Sequence, residues 1–67
     1  MEIHETVVRD DSTGREIWRY HDDLKQVRVG NQFFVEQRGY VVQRVQVEDG
    51  VRAIYLTGLP SDGVMVD

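Results

Sequence analysis

Cysteine is absent from the 67 residues, which excludes a disulfide framework, a thiolate zinc site and a cysteine nucleophile. No apolar run approaches the roughly 18 residues a membrane helix needs, and no charged-then-apolar leader opens the chain. Neither a membrane span nor a signal peptide is therefore expected, and a cytoplasmic protein is the expectation. Alanine appears once, as Ala53, and leucine three times. Helical patterning is equally scarce, since no i, i+3, i+4, i+7 apolar stripe persists beyond two turns. Lysine is represented by Lys25 alone, and eight basic residues stand against twelve acids for a net charge of −4. That balance is poor for a domain whose affinity comes from neutralised phosphates.

Catalytic groups are thin as well. His4 and His21 are the only imidazoles, and Ser12 and Ser61 fall in turn or tail segments without a nucleophile-elbow setting. The sequence His21-Asp22-Asp23 offers three adjacent ligand types, but neighbours in sequence rarely converge on one ion, and turn capping by the aspartates is the ordinary use of such a run. Gly58–Gly63 lacks the Gly-Lys-Ser/Thr arrangement of a phosphate loop. A chain of this length leaves little concave volume for a substrate cleft. No enzyme activity, metal or cofactor is expected.

What the chain does contain is valine, twelve in all. β-Branched residues lose rotamer freedom in helices and fit a pleated, half-buried surface, so the composition predicts sheet. Glycine and aspartate supply the punctuation. Asp10–Gly14 separates Ile3–Arg9 from Arg15–Tyr20, Gly30-Asn31 marks a bend, Arg38-Gly39 a turn, and Asp49-Gly50 a two-residue hairpin loop. Five antiparallel strands follow, at 3–9, 15–20, 26–36 with the bend, 40–47 and 51–57. A 3₁₀ turn is expected over His21–Lys25.

Register can be read further. A loop at Asp49-Gly50 sets Val47 opposite Arg52, Gln46 opposite Ala53, Val45 opposite Ile54 and Arg44 opposite Tyr55. Val45, Val47, Ile54 and Leu56 then share the core face, and Arg44, Gln46, Ala53 and Tyr55 the other. Tyr40 and Val42 also point inward, yet the step from Val42 to Val45 is odd, so a β-bulge at Gln43-Arg44 is required. A four-residue loop at Asp11–Gly14 places Ile3, Val7, Trp18 and Tyr20 inside, with Val8 and Ile17 behind. The expected core is Ile3, Val7, Trp18, Tyr20, Leu24, Val29, Phe33, Val35, Tyr40, Val42, Val45, Val47, Ile54 and Leu56.

Short strands with a bend and a bulge predict a sheet that curls on itself and hides its edges, an all-β fold of the small-barrel type. The segment Val27-Arg28-Val29-Gly30-Asn31-Gln32-Phe33-Phe34-Val35, followed by Arg38-Gly39-Tyr40-Val41-Val42 and Val45, resembles the hairpin of bacterial and phage SH3-like small barrels. Their usual form is V-G-D-x-F/V, a glycine turn, then Y-x-V-x-x-V. Asn31 stands where Asp is common. The resemblance covers about a third of the chain and implies a fold, a strongly bent five-stranded sheet, and no functional residue. The domain is expected over 1–57, with a tail at 58–67 that either stays mobile or pairs with strand 1 through Val64-Met65-Val66.

A disulfide-free core this small favours extra burial through a homo-oligomer or a larger protein partner. Val8, Ile17, Phe34, Val41 and Val51 are surplus apolar residues on the outer faces, and clustered apolar surface marks contact sites. Charge is also segregated. Residues 1–23 hold three arginines against seven acids, residues 48–67 hold Arg52 against four acids, and residues 24–47 hold Lys25, Arg28, Arg38 and Arg44 against Glu36. All five glutamines lie in that middle segment. Three readings are open: a protein-contact surface of Arg28, Phe34, Arg38, Val41, Arg44 and Tyr55; a nucleic-acid surface using the same basic, amide-rich strands with Tyr55 as a stacking platform; and a solvated face whose arginines pair with neighbouring acids. The acidic ends, Glu2, Glu5, Asp10, Asp11, Asp22 and Asp23, could also meet a basic partner, as in the compact inhibitors that phages and plasmids encode. The first reading, a non-catalytic protein-binding module such as an adaptor or inhibitor, is preferred. Nucleic-acid binding and a self-associating structural component are the alternatives.

Overall fold

Alternation and turn chemistry fold the chain into β1 (Glu5–Asp10), β2 (Glu16–Tyr20), β3 (Gln32–Val35), β4 (Arg38–Glu48) and β5 (Val51–Gly58). The computed structural model describes residues 2–58. The strands form one sheet in the order β2-β1-β5-β4-β3, curled through 235° like a half-barrel, with no helix among the described residues. The core lies on the concave side. Val8, Val35, Val42, Ile54 and Leu56 are buried there, with Ile17, Tyr20, Leu24, Val27, Phe33, Tyr40 and Val45 packed around them.

The expected all-β, five-stranded curled sheet is what forms, but one pairing departs from an all-antiparallel sheet. β1 and β5 run parallel, from Glu5 opposite Val51 to Asp10 opposite Leu56. Counting reversals explains it: four of them return β5 to the direction of β1, so these strands can meet only in parallel. Both edges of β1 are thereby occupied, by β2 and by β5. The tail beyond Gly58, and with it the proposed partner of strand 1, lies outside the described residues.

The Asp49-Gly50 loop forms as read, with φ of 54° and 76°, and all four of the pairs it sets are present. The bulge also falls between Val42 and Arg44. At the first hairpin the loop is as expected: Asp10 N–H donates to Arg15 C=O at 2.9 Å, and Gly14 takes φ 80°. Beyond it the register slips, because Arg9 faces Glu16 while Val8 faces Trp18, leaving Ile17 as an extra residue. This bulge exchanges the expected faces of Val7 and Val8 and brings Ile17 inward, while Trp18 and Tyr20, opposite Val8 and Thr6, keep the core face. Val8 and Ile17 belong to the core, Val7 is buried on the outer side, and Trp18 is 44% exposed.

Further corrections concern the middle of the chain. The strand expected over 26–36 shrinks to β3, because most of the bonded N–H groups before it are used locally, Gly30 N–H alone reaching β4 at Val42 C=O. Val27 N–H donates to Leu24 C=O, Asn31 N–H to Arg28 C=O, and Arg28 N–H to the Asn31 side chain. The single expected turn thus sits at Leu24–Val27, and Val29 is 64% exposed instead of in the core. The hairpin turn falls at Glu36-Gln37, with φ of 51° and 70°, and Arg38-Gly39 opens β4. That register sets Phe33 opposite Tyr40 on the core face, and the Phe33 ring meets Tyr20 edge-on with centroids 6.1 Å apart. Val47, opposite Arg52 near the end of its hairpin, is 51% exposed and also leaves the core.

The connection 21–31 crosses the concave side and is fastened to it. The Thr6 hydroxyl, fully buried, donates to Asp22 C=O at 2.8 Å and accepts from Leu24 N–H at 3.0 Å. Arg52 Nε donates to Asp23 Oδ1 at 2.7 Å, the least exposed ion pair among the described residues.

Candidate protein-contact surface

Strand alternation and the pairings set out the outer face in rows. Phe34 faces Gly39; Gln32, Val41 and Thr57 form the next row; then come Arg44, Tyr55 and Arg9; then Gln46, Ala53, Val7 and Arg19. Four of the six expected contact residues, Phe34, Val41, Arg44 and Tyr55, therefore share this face. Arg28 and Arg38 do not. Arg28 sits in the connection before β3, and Arg38, opposite Val35, lines a recess on the core side with Ile17, Glu36 and Tyr40. Phe34 is 62% exposed because the residue across from it is a glycine, which offers its ring no side chain to lie against.

Electrostatics on this face are largely satisfied internally. The Arg44 guanidinium lies 4.2 Å from the Tyr55 ring centroid while its Nε donates to Asp11 Oδ1 at 3.0 Å. Arg19 bonds Glu16 at 2.8 Å and also Glu5. These bonds hold the Glu16 carboxyl below its ordinary range and raise the Arg19 guanidinium. Arg9 donates to Gly14 C=O. The solvated-face pairing is thus present at Arg19 and Arg44.

The acidic ends are similarly engaged. Asp10 Oδ1 accepts from both the hydroxyl and the N–H of Ser12, which lowers its pKa, and Asp11 and Asp23 each hold an arginine. Asp22 accepts from the N–H of Asp23, an ordinary turn use. Burial raises the Tyr20 phenol above its ordinary value. Lys25, Arg28 and Arg38 have no carboxylate partner among the described residues.

Beside the Arg44–Tyr55 pair lies a depression of about 440 Å³ with Val7, Ala53 and Val51 as its apolar part and Arg9, Arg19, Gln46 and Glu48 among its polar lining. Sequence reasoning put Ala53 on this face but did not see the depression. Its signal was the sole alanine, a small residue between larger neighbours, whereas Arg9, Arg19 and Val7 could reach it only through the parallel β1–β5 pairing. No three His, Asp or Glu side chains gather to hold a metal among the described residues, and no helix there is long and apolar enough to cross a membrane. No family model matches the chain, and neither a protein of established function nor a solved structure matches it.

Proposed function

We propose that the chain is a non-catalytic protein-binding module, a small barrel of the SH3-like kind found in bacteria and phages, which acts as an adaptor or inhibitor of a larger protein. The observation that carries this reading is Phe34, a large apolar side chain 62% exposed on the outer face beside Val41. Arg44 and Tyr55 form the polar rim of that contact, since aromatic and arginine side chains are the residues interfaces favour. A nucleic-acid surface has less support, because Arg19 and Arg44 already hold carboxylates and Arg44 covers the Tyr55 ring. The test is affinity capture from host lysate with the wild-type chain and with Phe34→Ser, both checked for an unchanged circular dichroism spectrum. A protein retained by the first and lost by the second is the expected result. Equal capture by both removes Phe34 from the interface, and a salt-sensitive gel shift with single-stranded RNA or DNA would favour the nucleic-acid alternative.

A further inference from the structure

The half-barrel has a strand-sized opening. Four strand-to-strand steps span 235°, so about 125° of the circle stays open between β2 and β3, about two further steps. One additional strand fills such an interval. Beneath the opening the Tyr20 and Phe33 rings meet at one end, and at the other a recess of about 290 Å³ is lined by Ile17, Val35, Glu36, Arg38 and Tyr40. The side chains at the recess come from β2, from β3 and β4 and from the turn joining them, the two sides of the opening.

The edge above it is available for pairing. In the two-residue loop at Glu36-Gln37, Val35 and Arg38 exchange both hydrogen bonds, and alternation then turns the N–H and C=O of Gln32 and Phe34 away from β4. Val42 N–H donating to Asn31 C=O fits this phase. Among the described residues β3 pairs with nothing else. Its surroundings are cationic: Lys25 and Arg28 in the connection that delivers it, and Arg38 across its hairpin, have no carboxylate partner, against Glu36 in the turn and Asp22 at the start of the connection, Asp23 there being held by Arg52. Arg19, Arg44 and Arg52 elsewhere on the sheet hold carboxylates, so the unpaired Lys25, Arg28 and Arg38 leave this edge with positive charge to offer.

We infer that β3 takes up an extended acidic segment of a partner protein as a sixth strand. Main-chain bonds to Gln32 and Phe34 hold it, one apolar side chain enters the recess against Ile17, Val35 and Tyr40, and a flanking carboxylate meets Arg38. The inference rests on the protein-binding reading and names its partner's chemistry, and it does not depend on Tyr55 or Arg44.

The test uses the full ¹⁵N-labelled chain titrated with a seven-residue peptide of alternating valine and threonine flanked by Asp and Glu. The expected result is new exchange protection at the Gln32 and Phe34 amides and shifts at Ile17, Val35 and Tyr40. Affinity should fall with salt and weaken about tenfold in the surface variant Lys25→Glu with Arg38→Glu. A peptide with lysines in place of the acids should not bind. Shifts confined to Val41, Arg44 and Tyr55 would overturn strand addition and leave protein binding standing, as would no shift at all if Phe34-dependent capture persists. Protection of Gln32 and Phe34 that grows with protein concentration alone would assign the edge to a second copy. Protection in the free, dilute chain that vanishes on removing residues 59–67 would assign it to the chain's own tail. Either outcome overturns the proposal.

Discussion

Thr6 shows how much a single side chain contributes here. Its hydroxyl is the buried polar group that ties the 21–31 connection to β1, through Asp22 C=O and Leu24 N–H. Thr6→Val keeps the shape and removes both bonds. A loss of about 1–3 kcal/mol is expected, seen as a lower urea midpoint at unchanged slope; an unchanged midpoint would show that the connection is held by Leu24 and Val27 alone. Asp10 and Glu16 contribute to the acid side of the stability profile. The folded pKa of Asp10 lies below the ordinary 3.8 through the Ser12 bonds, and that of Glu16 below 4.5 through Arg19. Groups with depressed pKa values contribute fully above their unfolded values and lose that contribution as pH falls through the folded ones. The thermal midpoint should therefore hold near neutrality and drop below about pH 4.5. In Ser12→Ala the Asp10 carboxyl, followed by NMR, should titrate closer to its ordinary value, and an unmoved titration would remove Ser12 as the cause.

Two hairpin turns differ in how well their residues suit them. Asp49-Gly50 and Glu36-Gln37 both hold two successive residues at positive φ. Glycine adopts that conformation freely, whereas an ordinary L-residue loses about 1–2 kcal/mol in it. Replacing Glu36 by Asn together with Gln37 by Gly should raise stability by about 1–2 kcal/mol, measured as a higher thermal midpoint. No rise would mean that the packing around Phe33 and Tyr40, not the turn, sets the hairpin's stability. Gly50→Ala should act in the opposite sense. Its Cβ would meet only Glu2 C=O at 3.5 Å and the His4 ring at 3.6 Å, ordinary contacts, so the loss is the backbone's. The same contrast explains legibility. Asp-Gly announces its own turn, while Glu-Gln carries no turn signal and the neighbouring Arg38-Gly39 carries a misleading one. The true position follows from setting Phe33 opposite Tyr40, which no local rule reports.

For the molecule as a whole, the question is which side is inside. Val7 and Val8 are both buried, at 3% and 0%, yet only Val8 belongs to the core cluster. Val7 is on the outer face, by the depression that Arg9, Arg19 and Gln46 border, and such side chains can settle into the space a truncation leaves. Val8→Ala should therefore destabilise more than Val7→Ala in chemical denaturation; the reverse order would restore the simple alternation that ignores the bulge at Ile17. Leu56→Ala, at a fully buried member of the cluster, should cost about 2–5 kcal/mol, a large share of what a small domain has.

Local chemistry alone determined that this chain is sheet, where β4 and β5 turn, which of their residues pair, and that β4 carries a bulge. Each of these follows from β-branching, from φ preference or from a period of two, and all act within a few residues. The parallel seam of β1 with β5, the slip at Ile17, the short β3 and the gap beside it were decided by the tertiary structure. They depend on how far a curled sheet can close over a core this small and on which distant side chains fill it. The candidate contact surface divides in the same way: Phe34, Val41, Arg44 and Tyr55 came together because strand parity is local, and Arg28 and Arg38 separated because the path of the chain around Gly30 and through Glu36-Gln37 is not.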